Sequence, residues 1–359
     1  MDNFAFIIHP IDPKRDIGRK YPFLARIVND WIIYHVAPLF PPVYLSEVEG
    51  ICSASTGKRI KGWLIACPLT PSHFFQLPEI QVYRKIIETG RLAEKLGAKI
   101  LGLGAFTSVV GDGGISVANA LDIPVTTGDS YTVAIAVQSL RKAANSLDIR
   151  WEAATAAVIG ATGAIGRACS ALLARDVAEM YLVGRRVTDL EALRDELTAK
   201  GAKAYLHIST DMQVLRQAHL VIGASSSLQA IVEPDHLRPG SVVCDIARPR
   251  DVSEAVAAVR PDILVIDGGM VEVPGPADFH FNFGLPPGKA YACMAETIAL
   301  ALEGRLESFT LGKQISSVRV EEIAGIAEKH GFMLSDFRSF DRLVTEEQIE
   351  YVRRSARLS

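Results

Sequence analysis

The chain has 359 residues, of which 49% are hydrophobic and 22% are charged, and its formal net charge is −3. This length exceeds the usual size of one hydrophobic core and indicates two domains. The balanced charge, with no basic tract, argues against a nucleic-acid partner, and no apolar run approaches the roughly 20 residues that span a bilayer.

The cellular setting is inferred from the N-terminus and the cysteines. Asp2 stands where a signal peptide would carry basic residues leading into an apolar core, so no export signal is expected. The five cysteines are dispersed and form no C-x-x-C pair, which is typical of reduced thiols. The eight histidines are isolated from one another, so no metal site is predicted. We therefore expect a cytoplasmic protein with at most peripheral membrane contact.

Residues 1–150 are predicted to form an α/β substrate-binding domain. Apolar residues at helical spacing in Tyr21–Phe40 could line an apolar pocket or touch a membrane surface, although packing within the domain is the more frequent arrangement. The predicted strands lie in Phe4–Ile8, Val43–Val48, Trp63–Cys67, Lys99–Phe106 and Pro124–Asp129, and the other predicted helices are Leu77–Leu96 and Ser130–Ser146.

Small hydroxyl residues follow the last of these strands. They could supply donors to the polar head group of a substrate, and plain turn and capping chemistry explains them equally well. The candidate substrate-binding residues are Thr126, Thr127, Gly128 and Ser130.

Beyond the polar stretch Asn145–Arg150, short β-branched strands alternate with helices through residues 151–290. This rhythm predicts a Rossmann-type doubly wound parallel sheet. An apolar strand, Ala153–Ile159, runs into a G-x-x-G-x-x-G turn and then a helix, Ala164–Leu173. That context favours a dinucleotide pyrophosphate site at the helix N-terminus over an ordinary tight turn. The candidate cofactor-binding residues are Gly160, Thr162, Gly163, Ala164, Ile165 and Gly166, with Ala224 and Ser225 after a later strand.

The second strand of this domain ends in Arg185 and Arg186, where NAD-binding domains carry a carboxylate that reads the ribose. Two guanidinium groups would pair with a 2′-phosphate, so the sequence favours NADP over NAD. The alternative is that one arginine only covers the adenine ring.

Residues 291–359 are predicted to be a C-terminal helical segment that packs back onto the two domains. Cys293 lies near the start of its first helix, Ala290–Gly304, where the helix dipole and the nearby Lys289 would lower the thiol pKa. From the residues alone, a small core cysteine is the more common explanation.

Several stretches together resemble the long-chain acyl-(acyl-carrier-protein) reductases known from cyanobacteria, which convert fatty acyl thioesters to aldehydes. The matching stretches are Gly102–Ser108, Thr126–Thr132, Gly160–Gly166, Ala292–Glu296, Gln314–Ser316 and Lys329–Phe332.

The resemblance implies an acylated Cys293, reduction by NADPH, and a fatty aldehyde product. It also implies acyl-carrier protein or acyl-CoA as the thioester donor, and an aldehyde-consuming enzyme as a further partner. The chain departs from the family pattern in its first 50 residues, at Asp129 where asparagine is expected, in 245–250, and beyond Phe340.

Two other functions stay open from the sequence. A shikimate- or amino-acid-type dehydrogenase would share the two-domain layout and would use an acid/base lysine in place of Cys293. Lys58 and Lys61 lie near the Gly57 turn, where both are typical of solvated turn residues. A non-catalytic NADP sensor would bind the cofactor without turning over any thioester.

Overall fold

The computed structural model describes residues 2–21, 23 and 29–358 of the chain. It divides into two compact units. The first unit comprises Met1–Tyr131, Val271–Gln314 and Val318–Met333, and the second comprises Thr132–Met270, Ile315–Ser317 and Leu334–Ser359. The division differs from the expected boundaries near residues 150 and 290, because residues 271–314 with Cys293 return to the first unit.

The first unit is built on a five-stranded sheet with the order β2-β3-β1-β4-β5. Strands β1, β3, β4 and β5 are parallel, and β2 pairs antiparallel with β3. The carboxyl ends of the four parallel strands therefore share one edge, with Ile7 level with both Ile65 and Leu103. The strands are β1 (Phe4–Ile8), β2 (Val43–Cys52), β3 (Arg59–Ala66), β4 (Ile100–Leu103) and β5 (Val125–Thr126).

Helices of the first unit cover this sheet. The amphipathic helix Glu79–Leu96 buries Val82, Ile86 and Ala93 against it and ends at Gly97, whose φ of +93° suits the predicted C-terminal glycine. The helices up to residue 146 are α1 (Pro13–Lys20), α2 (Asp30–Val36), α3 (Pro71–Gln76), α4 (Glu79–Leu96), α5 (Phe106–Val109), α6 (Ile115–Asn119) and α7 (Asp129–Ser146), which begins in the first unit and continues in the second.

The second unit contains a six-stranded, all-parallel sheet with the order β11-β10-β9-β6-β7-β8. When these strands are numbered 1 to 6 in chain order and listed from the β8 edge, the order is the 3-2-1-4-5-6 of a Rossmann fold. The predicted fold class is therefore confirmed. Its strands are β6 (Thr155–Ile159), β7 (Glu179–Val183), β8 (Tyr205–Ser209), β9 (Leu220–Gly223), β10 (Val242–Asp245) and β11 (Leu264–Asp267), and its helices include α8 (Ala164–Leu173), α9 (Val187–Ala199) and α10 (Glu254–Val259).

The C-terminal residues are shared between the two units and form no separate domain. Helices α11 (Ala292–Glu303) and α12 (Ser317–His330) lie in the first unit apart from Ser317, whereas α13 (Glu346–Leu358) lies in the second. Short strands complete the chain: β12 (Met270–Glu272), β13 (Lys289–Tyr291) and β14 (Met333–Leu334) form one sheet, and β15 (Arg338–Ser339) pairs with β16 (Arg342–Leu343).

The predicted helix Tyr21–Phe40 falls partly outside the described residues, at 22 and 24–28. Its described part is α2, followed by the 3-10 turn Ala37–Leu39. Within the described chain, every helix is too short or too polar to cross a bilayer.

Candidate active site

Cys293 is the second residue of α11, as its predicted place in the first turn of a helix requires. The helix packs closely on the first sheet because β4 carries a glycine: a Cβ on Gly102 would lie 2.2 Å from Thr297 Oγ1. This close packing holds the first turn of α11 at the carboxyl edge of the parallel strands.

The loop after β5 lies directly against Cys293. Gly128 has a φ of +75°, and a Cβ built on it would lie 2.3 Å from Cys293 Cα and 2.6 Å from Cys293 Cβ. Only glycine fits this position, since any side chain would displace the backbone of the cysteine. The structure thus brings the predicted substrate-binding loop and Cys293 together.

Glu296, one turn after Cys293, ties this loop to α11. Its side chain is fully buried and accepts hydrogen bonds from Thr126 Oγ1 at 2.5 Å and from the Tyr131 N–H at 2.9 Å. Thr310 Oγ1 lies 2.8 Å from both Glu296 Oε1 and Ser130 Oγ. A buried carboxylate with this many donors fixes the loop rigidly.

The same bonds determine what the loop residues do. Thr126, Thr127 and Ser130 are all at most 1% exposed, and the hydroxyls of Thr126 and Ser130 are engaged within the Glu296 network. Of the two explanations left open by the sequence, the structure places these two hydroxyls in loop fixation. The Thr127 hydroxyl accepts the Asp129 N–H at 3.5 Å, and its interaction with the Asp129 carboxyl lowers the pKa of that group.

The electrostatics of Cys293 oppose the expected activation. Burial first and the charge of Asp129 second raise the pKa of the Cys293 thiol to about 12, while the backbone N–H groups at the start of α11 act in the other direction. Lys289 does not supply the expected effect, because its ammonium pairs with Glu272 at 3.3 Å. The helix N-terminus therefore lowers the thiol pKa as predicted, but burial and the charge of Asp129 raise that pKa by more.

Cys293 is nevertheless one of only two partly exposed cysteines, Cys52 being the other. Cys67, Cys169 and Cys244 are buried, and burial raises the thiol pKa of Cys67 to about 11 and that of Cys169 to about 12. Cys52 lies on the β2–β3 hairpin, where its thiol is 3.6 Å from the Gly57 carbonyl. The position of Cys293 on a helix start beside a fixed loop distinguishes it from Cys52.

A second loop, after β4, lies at the same edge of the sheet. His9 follows β1, and its Nε2 accepts the N–H of Phe106 at 3.1 Å. Burial lowers the pKa of His9 to about 4, so the ring is neutral and can accept this bond. The Phe74 and Phe106 rings lie 4.8 and 5.6 Å from the His9 ring. Aromatic side chains therefore lie at this edge of the first sheet together with the small residues of the loops.

The glycine turn of the second unit has the geometry that a pyrophosphate cradle requires. A Cβ on Gly160 (φ +72°) would meet the Ala224 carbonyl at 2.7 Å, and one on Gly166 would meet the Gly160 carbonyl at 2.2 Å. Gly163 caps α8 from an extended conformation and is exposed, so N–H groups at the helix start are open to an anion. Thr162, Ala164 and Ile165 around the turn are partly exposed.

Ala224 and Ser225, after β9, adjoin this turn. The Ser225 N–H donates to Asp251 at 2.9 Å, and the Ser225 hydroxyl also donates to that carboxylate. Asp251 is fully buried, so the loop that borders the cradle is anchored from inside the unit. The residues present fit a dinucleotide.

Arg185 and Arg186 follow β7 and are both exposed, as the predicted 2′-phosphate site requires. Arg186 pairs with Asp189 in the first turn of α9 at 2.5 Å. Arg185 is therefore the better placed of the two for a phosphate.

Three residues of these sites were missed from the sequence. Glu296 could have been found, since it is a charge flanked on both sides by apolar residues of α11 and must have partners there. Asp129 stands out in the sequence only as a departure from the family pattern, where asparagine is expected. Thr310 gave no signal, because its bonds join residues far apart in the chain. Among the described residues, no three side chains of the metal-ligating kinds come together.

Comparison with known families and proteins bears on this geometry. Residues 141–267, which include the glycine turn, match the family model of shikimate / quinate 5-dehydrogenase. Over 92% of its length the chain is 29% identical to a long-chain acyl-[acyl-carrier-protein] reductase of Synechococcus elongatus, of which it covers 98%. These matches support an NAD(P)-dependent oxidoreductase of the Rossmann type.

The chain is also 32% identical, over 84% of its length, to the aminotransferase PigE of Serratia sp.. It spans about a third of that protein (36%), so the match concerns one part of a longer chain. Among solved structures, L-tryptophan dehydrogenase from Nostoc punctiforme is 11% identical with a TM-score of 0.43, covering 99% of this chain and 87% of that one. Shikimate 5-dehydrogenase from Listeria monocytogenes is 12% identical with a TM-score of 0.38, covering 91% and 96%.

Proposed function

We propose that the chain reduces a long-chain acyl thioester to an aldehyde with NADPH, through an acyl group carried on Cys293. The observation that carries this proposal is the position of Cys293: a partly exposed residue in the first turn of α11, backed by Gly128 and a rigidly fixed loop. Identity of 29% to an acyl-[acyl-carrier-protein] reductase over nearly the whole of that protein supports it.

The chemistry requires three things of the chain. The Cys293 sulfur attacks the thioester carbonyl carbon, and the carrier thiol departs, which leaves the acyl group on the enzyme. Bound NADPH supplies the hydride that reduces this enzyme-held thioester. Collapse of the resulting hemithioacetal breaks its carbon–sulfur bond and releases the aldehyde and the Cys293 thiolate.

The cofactor preference and the donor belong to the same proposal. The exposed Arg185, with no carboxylate beside it at the end of β7, favours NADPH over NADH. Acyl-carrier protein or acyl-CoA is the proposed donor. The acyl chain would lie among apolar side chains near the carboxyl edge of the first sheet, where Phe75 is 53% exposed and its ring is 5.2 Å from that of Phe106.

Aldehyde formation from acyl-carrier protein and NADPH tests the proposal. Cys293→Ser should abolish it, and Cys52→Ser should leave it unchanged, because Cys52 is the other partly exposed cysteine and lies on the β2–β3 hairpin. Full activity in Cys293→Ser would refute the covalent route.

A dehydrogenase of the shikimate type is the second candidate, favoured by the family match over residues 141–267. Its acid/base lysine is harder to find: Lys58 pairs with Asp2 at 2.7 Å and Lys61 with Glu47 at 2.6 Å. Alkylation of Cys293 separates the two candidates, since only the thioester reductase would be inactivated by it.

A further inference from the structure

Asp129 is a buried carboxyl group beside Cys293, and none of the steps proposed above involves it. It is the first residue of α7, it is 8% exposed, and it directly follows Gly128, whose backbone lies against Cys293. Tyr131, two residues further on, donates its N–H at 2.9 Å to Glu296, one turn after Cys293. The chain on both sides of Asp129 therefore contacts α11 at the cysteine. After burial, the charge of Asp129 contributes to the raised pKa of the Cys293 thiol.

The groups around Asp129 explain its ionisation. Glu296 and Cys293 face it from α11, and the Thr127 hydroxyl, which accepts the Asp129 N–H at 3.5 Å, faces it from its own loop. No cation pairs with Asp129 within the described chain. Glu296, by contrast, is held by donors from Thr126, Tyr131 and Thr310.

Burial raises the pKa of both carboxyl groups, and only Glu296 has the opposing hydrogen bonds from Thr126, Tyr131 and Thr310. Burial and the charge of Glu296 raise the pKa of Asp129 to about 7, so it can accept and return a proton near neutral pH. A thiol with a raised pKa needs such a partner, because little thiolate forms on its own.

We propose that Asp129 accepts the thiol proton of Cys293 and delivers it to the departing thiolate of the acyl donor. This rests on the proposed function. As the Cys293 sulfur bonds to the carbonyl carbon, its proton passes to the Asp129 carboxylate. As the donor's carbon–sulfur bond breaks, that proton goes to the leaving sulfur and Asp129 is ionised again. After the aldehyde leaves, a proton from water, passed through Asp129, restores the Cys293 thiol.

The test is single-turnover acylation of Cys293 by octanoyl-pantetheine without NADPH, followed by mass spectrometry from pH 5.5 to 8.5. In the wild type the rate should rise through about pH 7. Asp129→Asn should acylate about 100-fold more slowly, the usual size of one acid–base group, and should lose the rise. Asp112→Asn is the matched control, since Asp112 caps α6 through Ser116 in the same unit and should behave as wild type.

Alkylation of Cys293 by iodoacetamide at pH 8 guards against a misfolded variant. Because Asp129→Asn removes a negative charge near the thiol, alkylation should proceed at the wild-type rate or faster. Wild-type acylation in Asp129→Asn, or a parallel loss of alkylation, would overturn the role of Asp129 and leave the proposed function standing. A wild-type protein that never becomes acylated would overturn both.

Discussion

The glycine turn of the second unit and the cysteine site of the first are built from different parts of the chain. The turn is made by the backbone of one short segment, in which Gly160 and Gly166 leave room for neighbouring carbonyl groups. The cysteine site is made by side chains from α11, the loop after β5 and Thr310, joined through one buried carboxylate. A site of the first kind is visible in the sequence, whereas one of the second kind appears only when the chain is folded.

The largest effect on stability is expected at Gly128, a glycine that leaves room for a neighbouring backbone and also lies in the cysteine site. A Cβ there would overlap the backbone of Cys293 while the residue keeps a φ of +75°. Gly128→Ala should lower the free energy of unfolding by about 3 kcal/mol or more and disable the cysteine site. Urea denaturation measures the loss. Gly57→Ala is the matched control, since Gly57 has a φ of +68° and open space around it, and it should cost only about 1 kcal/mol.

In the second unit, Gly166→Ala should weaken NADPH binding more than tenfold, because its Cβ would push α8 away from the Gly160 carbonyl. Fluorescence titration with NADPH checks this. Gly325→Ala, a helical glycine with nothing within 4 Å, should leave binding unchanged. Equal binding by Gly166→Ala and wild type would show that the turn does not hold the cofactor.

The glycine turn and the cysteine site also differ in how much of each can be predicted from the sequence. The alternation of strands and helices in the second unit, the bounds of α8 and the place of Cys293 in the first turn of α11 follow from local patterns, and the structure has them so. The raised pKa of Cys293 could not be foreseen, because it comes first from burial and second from Asp129, about 160 residues earlier in the chain. The return of residues 271–314 to the first unit was missed for the same reason: long-range packing against β1 and β4 leaves no periodic signal.

The pH dependence of stability reports buried carboxyl groups in both regions. Folding raises the pKa of Asp129 from 3.8 to about 7, mainly by burial, so between those values the folded state binds more protons and stability falls as pH rises. Burial does the same to Asp245 in the second unit, with a pKa of about 7. Asp129→Asn should therefore remove part of this loss, at about 1.4 kcal/mol per unit of pKa difference.

Urea denaturation of the wild type and Asp129→Asn at pH 5 and pH 8 measures this difference. The remaining slope in Asp129→Asn reports the other carboxyl groups whose pKa burial raises, which are Asp245, Asp251 and Glu296. An identical pH dependence in both proteins would mean that Asp129 is not buried as an acid.

The smallest effect is expected at the exposed arginines. Arg185→Ala should raise KM for NADPH about tenfold, the equivalent of 1.4 kcal/mol, and leave KM for NADH unchanged, because only NADPH carries the 2′-phosphate. Steady-state kinetics with both cofactors measures it. A matching rise with NADH would assign Arg185 to the adenine ring instead.

The central claim is that Cys293 carries the acyl group, and the mass of the trapped adduct tests it most directly. Wild-type protein incubated with acyl-carrier protein thioester and no NADPH should gain the mass of one acyl group, located by proteolysis on Cys293. Adding NADPH should remove it with release of one equivalent of aldehyde. An adduct on Cys52, or aldehyde formation at the full rate without any adduct, would contradict the claim.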